Sequence, residues 1–176
     1  MKRSLITLYL FLFLSITGNA QINRIVNGIH IGEDIELAKQ YMRNKGYNIE
    51  YEKLDPTLGE YYSCEDIRFC GIIWDGMIVL VDNDIASTVI FLLYKDDYDD
   101  YFYQKYYDIS SALGNKYGKY IQDTSNSDIN GFVFEDNFTR VTILKDYDDD
   151  GDLFMALIYD DLYDTNGRFV DYYEFL

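Results

Sequence analysis

Residues 67–94 read IRFCGIIWDGMIVLVDNDIASTVIFLLY, and the way this run divides into strands decides the fold. It contains three stretches rich in β-branched and aromatic residues: "IRFCGIIW", "MIVLV" and "ASTVIFLLY". Asp75-Gly76 separates the first two, and Asp82-Asn83-Asp84 precedes the third. Asp-Gly is a strong hairpin signal, because a two-residue type I′ turn needs positive φ at both central positions. The expected reading is three antiparallel strands with turns at 75–76 and 82–84. On the strand before the first turn, Phe69, Gly71 and Ile73 then share one face, and Arg68, Ile72 and Trp74 share the other.

Upstream, "GEDIELAKQYMRNKGY" (32–47) carries helical periodicity. Ile35, Ala38 and Met42 fall on one face. Glu33, Asp34 and Glu36 lie in the first turn, and Lys39, Arg43 and Lys45 gather toward the end, which complements the helix dipole. Gly46 supplies a left-handed cap. "NIEYEKL" follows as a strand, so the order is one helix and four strands. Downstream the order begins again. In "DDYDDYFYQKYYDISSALGNKYG", Phe102, Tyr106, Ile109 and Leu113 form a stripe that ends at Gly118. "KYIQDT", "GFVFE", "FTRVTILK" and "LFMALIY" supply four more strands. "GIIWDG" corresponds to "GFVFED", and "FLLYKDD" to "ALIYDDL", at a spacing in the range of a repeated supersecondary unit. The expected fold is α+β: a tandem αββββ repeat forming one antiparallel sheet, with both helices packed on one face. Repeat one covers about 29–95 and repeat two about 96–160, with an extension over 161–176.

The chain begins with Lys2 and Arg3, an apolar run from Leu5 to Ile16, and the small-residue site Gly18-Asn19-Ala20. That order reads as a secretory signal peptide over residues 1–20. The apolar run falls short of the roughly 20 residues that span a bilayer. The expected product is a single domain over 21–176, exported to the periplasm or beyond after cleavage near Ala20-Gln21. It keeps 13 basic and 31 acidic residues, a net charge of −18. Such a charge argues against nucleic acid and anionic membrane as partners, and favours a basic protein or cations.

The helix-and-strand pattern carried by "NGIHIGEDIELAKQYMRNKGY", "FCGIIWDGMIVLV" and "LGNKYGKY" resembles the β-lactamase-inhibitor-protein-like fold. More loosely it is similar to small outer-membrane lipoproteins of the SmpA/OmlA type and to exported proteins of Bacteroides-like bacteria that open with "NGI-x-I-G". The resemblance covers roughly residues 25–160. It implies a binding scaffold whose open sheet face docks a protein, of inhibitor or immunity type. Residue 21 is Gln, where a lipoprotein of the SmpA/OmlA type would carry its lipid-anchoring cysteine.

Catalytic chemistry has little to stand on. The single histidine, His30, alternates with Ile29 and Ile31 as a strand-edge residue, and no Ser sits in "GxSxG". One histidine and two neighbouring cysteines do not make a zinc set. The expectation is a non-catalytic protein. The aromatic residues point to binding: Trp74, the lone tryptophan, and Tyr103 and Tyr107 on the second helix are candidate partner contacts, with Arg68 and Ile72 beside Trp74.

Two features leave alternatives open. "DYDDDGD" (146–152) matches the first half of a calcium loop at Asp146, Asp148, Asp150 and Gly151, with Asp152 adjacent. Position twelve is Leu157, where such a loop carries a bidentate acid, and strands flank it instead of helices. An acidic hairpin turn is the structural reading, and a calcium-binding exported domain the alternative function. Cys64 and Cys70 form either a disulfide, if the chain turns within "SCEDIRF", or two buried free thiols.

Overall fold

The computed structural model describes residues 22–53, 60–96, 101–118 and 131–162. The expected signal segment, the strand expected at 119–124 and the tail from 163 onward lie outside them. A short arm, β1 (Ile25–Val26) and β2 (Ile29–His30), leads into helix α1 (Ile35–Asn44). Strands β3 (Glu50–Lys53), β4 (Glu60–Phe69), β5 (Ile72–Asp82) and β6 (Ile85–Tyr94) follow. Helix α2 (Phe102–Tyr117) then precedes β7 (Gly131–Glu135), β8 (Thr139–Tyr147) and β9 (Leu153–Asp161).

Helix α1 forms where its signals place it. The Asp34 carboxylate accepts the Glu36 N–H at 2.8 Å, which satisfies one of the orphan donors of the first turn. Gly46 takes φ +79, and the Tyr47 N–H reaches back to the Met42 carbonyl at 3.1 Å, closing the last turn. Ile35, Ala38 and Met42 are the buried face. On α2 the buried face is Phe102, Tyr106, Leu113 and Tyr117.

The seven long strands make one antiparallel sheet in the order β3-β4-β5-β6-β9-β8-β7. The first unit and the second therefore meet at β6 and β9, around the pair Phe91↔Leu157. The fold is α+β, with both helices on one face. Ile35 and Met42 of α1 and Phe102 and Tyr106 of α2 join Met77, Val89, Phe91, Val141, Ile143, Met155 and Leu157 in the main core. Leu80, Ile90, Leu92, Leu144, Phe154, Ala156 and Ile158 form a second apolar cluster on the opposite face. Among the described residues no helix packs there.

The turn expected at Asp75-Gly76 is corrected. The chain reverses at Cys70-Gly71, which take φ +52 and +79, both positive as a type I′ turn demands. Strand β5 then runs unbroken from Ile72 to Asp82 through Asp75 and Gly76. The second turn stands, at Asn83 and Asp84 with φ +51 and +64. Moving the first turn changes which side chains share a face. Phe69 now opposes Ile72, Arg68 opposes Ile73, and Ile67 opposes Trp74. Trp74 therefore points at the helices, fully buried against Phe91, with ring centroids 5.6 Å apart. Its indole N–H donates to the Phe69 carbonyl at 3.2 Å. Truncating a core tryptophan of this kind costs about 3–5 kcal/mol.

The cysteines are free. Cys64 is buried on the helix face of β4, and Cys70 stands exposed in the turn. Strand β4 runs on between them without reversing, so the bridge that required a reversal within "SCEDIRF" does not form.

The arm carrying "NGIHIG" explains its glycines. Gly28 (φ +86) lies against the Tyr41 ring, and a Cβ there would overlap it. Gly32 (φ +87) lies over the Arg24–Asp161 ion pair, where a Cβ would meet Asp161 Oδ2 at 2.6 Å. The Arg24 guanidinium donates to both Asp161 oxygens, at 3.0 and 2.6 Å, and to the carbonyls of Phe138 and Ile31. The arm before α1 is thereby locked to the last described residues of β9.

Candidate functional site

The site grows from an irregularity in the β4–β5 ladder. Pairing runs regularly to Glu65↔Gly76 and resumes at Ile67↔Trp74. Between these pairs Asp66 adopts φ +55, a left-handed conformation that few residues other than glycine accept. Alternation breaks here: Cys64 and Ile67, three apart, both face the helices. The register is the same on either side, so the chain re-aims side chains here without inserting a residue. Asp75 lies opposite Asp66, and its carboxylate accepts the Tyr94 N–H at 2.7 Å. That bond takes over where the β5–β6 ladder ends at Gly76↔Leu92.

The result is a cavity of about 500 Å³ on the face away from the helices. Ile78 and Leu92 contribute apolar lining, and Tyr61 and Tyr94 its aromatic part. Glu50, Glu65, Asp66 and Asp75 supply four carboxylates. Glu50, Glu65, Asp66 and Asp75 are exposed, whereas Leu92 is buried. The acidic loop after β8 lies at this same end of the sheet. Tyr94 pairs with Phe154 of β9. Burial raises the Tyr94 phenol above its ordinary range, and the charges of Asp148, Asp75 and Asp152 add to that rise. A low, apolar floor under a rim of carboxylates is suited to a cationic side chain with an apolar stem.

The candidate contacts expected from sequence do not converge. Arg68 is exposed, next to the β4–β5 turn. Ile72 packs against the main core and Trp74 lies inside it. Trp74 is thus no surface anchor, and this expectation is corrected by the relocated turn. Tyr103 and Tyr107 are exposed, at 43 and 54 %, but on α2, away from the acidic cavity. There they flank Lys145, whose ammonium lies 5.4, 5.2 and 5.8 Å from the ring centroids of Tyr103, Tyr106 and Tyr107. These cation–π contacts tie α2 to β8.

The loop at 146–152 is built as a hairpin connection. The Asp148 carboxylate accepts the N–H groups of Asp150 and Asp152, at 3.1 and 2.8 Å. Gly151 takes φ +86. The Asp146 carboxylate accepts the Tyr147 N–H. Among the described residues no group of three or more potential ligands is placed to hold a metal ion. His30 stands at the strand edge within 2.9 Å of Glu33, with its side chain exposed.

Glu65, Asp66, Asp75, Tyr61 and Tyr94 were not identified from sequence. They come from three strands and meet only through register, and the one local signal, Asp-Gly at 75–76, pointed to a turn. Comparison with known proteins finds no matching family model, curated protein or solved structure. No helix among the described residues is long and apolar enough to cross a membrane.

Proposed function

We propose that the chain is an exported, non-catalytic protein-binding module of inhibitor or immunity type. It engages a basic partner through the acidic, aromatic end of its helix-free sheet face. The observation that carries this reading is the cavity at the β4–β5 irregularity, with four carboxylates around an apolar floor and two tyrosines. A partner lysine or arginine lays its stem on Ile78 and Leu92 and presents its charge to Glu65, Asp66 and Asp75. The net charge of −16 on the whole chain speeds encounter with such a partner and makes association salt-sensitive. The tandem helix-and-sheet arrangement suits the inhibitor-like scaffold expected from the sequence.

The test is capture of envelope proteins on the immobilised protein, at low and high salt, beside a Glu50→Lys/Glu65→Lys variant. The expected outcome is a basic protein retained at low salt, released at high salt and not retained by the variant. Retention that is indifferent to both salt and the two substitutions would sink the proposal.

A further inference from the structure

Strand β3 ends the described sheet, and among the described residues it pairs with β4 alone. A free strand edge presents backbone donors and acceptors in the register of one more strand. What distinguishes this edge is the contrast between its two faces. On the outer face lies the acidic cavity, with Glu50 of β3 in its wall. On the helix face lies a second cleft, of about 550 Å³, between α1 and the β3–β4 edge. Lys39 and Arg43 of α1 line it, with Tyr47, Ile49, Tyr51 and Tyr62. The Lys39 ammonium sits 4.7 Å from the Tyr62 ring centroid and pairs with Glu36. Glu60, also in this cleft, is engaged by the Tyr51 hydroxyl at 2.8 Å. Asn48, two residues before β3, borders both cavities.

Side chains of a strand alternate between its faces. From this juxtaposition we infer that an extended segment of a protein partner, alternating basic and acidic side chains, adds to the edge of β3 that no described strand covers. Its basic side chains enter the acidic cavity on one face, and its acidic side chains meet the exposed Arg43 on the other. The backbone hydrogen bonds of strand addition supply affinity, and the alternating pockets supply selectivity. This inference rests on the protein-binding reading and adds to it the partner's conformation and charge order.

The experiment titrates the protein with three octapeptides: alternating lysine and glutamate, four lysines followed by four glutamates, and alternating lysine and serine. Affinity is measured together with hydrogen exchange at residues 50–53. The alternating lysine–glutamate peptide is expected to bind about tenfold more tightly than its block isomer, as matched charge order implies. It should also slow exchange in β3, and Arg43→Glu should erase the preference. Equal affinity of the two isomers, or unchanged exchange in β3, overturns strand addition. In that case salt-sensitive binding of the lysine–serine peptide leaves the acidic cavity standing as a docking site. Failure of all three peptides overturns both readings.

Discussion

At the residue scale the two thiols differ most sharply in environment. Burial pushes the Cys64 thiol up to about 12, and its sulfur faces the Met42 sulfur in the core at 4.0 Å. Cys70 is exposed in the β4–β5 turn, and burial raises its thiol as well, with the Lys116 charge opposing that rise. The thiolate is the reactive form, and at neutral pH Cys64 holds almost none of it. Alkylation of the folded protein followed by mass analysis is expected to modify Cys70 alone. Cys64 should react only after denaturant is added. Failure of both to react without a reductant would mean that they are bridged.

At the scale of elements, the turn at Cys70-Gly71 sets the register of everything after it. Gly71 takes φ +79, so Gly71→Ala is expected to cost about 1 kcal/mol or more. Gly76 lies within a strand, and the nearest atom to an added Cβ is the Cys64 carbonyl oxygen at 3.9 Å. Gly76→Ala should therefore change stability by less than about 0.5 kcal/mol. Urea denaturation of the two variants checks the pair, and the reverse order would return the turn to Asp75-Gly76. The contrast also shows which signals the sequence carries. Helix α1 was legible because its apolar period, its order of acidic and basic residues and its Gly46 end all agree. So was the α+β sheet with two helices on one face, since the strand segments are long and strongly apolar. The β4–β5 turn was not legible: Asp-Gly is the stronger local signal, and a cysteine in the left-handed region carries none. Tertiary burial of Trp74 and Met77 on one side of Asp75-Gly76 outweighs the local preference. That shift placed Trp74 in the core and hid the acidic cavity, whose walls assemble from four strands.

At the scale of the whole molecule, the chain is closed by the Arg24–Asp161 pair. The Asp161 side chain is only 4 % exposed, and its carboxylate holds Arg24 through two hydrogen bonds. Arg24→Met removes that partner and leaves a buried charge beside the arm. The expected cost is about 3 kcal/mol, read as a lower denaturation midpoint with an unchanged slope. A loss below about 1 kcal/mol would mean that the arm contributes little to the fold.

The proposed docking of a basic partner on the helix-free face at the β4–β5 irregularity also involves the whole molecule. Amide hydrogen exchange of the protein, free and bound to the salt-sensitive partner, tests it most directly. Exchange should slow at residues 65–66, 75–78 and 92–94 and stay unchanged along α2. Slowing confined to α2 around Tyr103 and Tyr107, with none on β4 to β6, would contradict it.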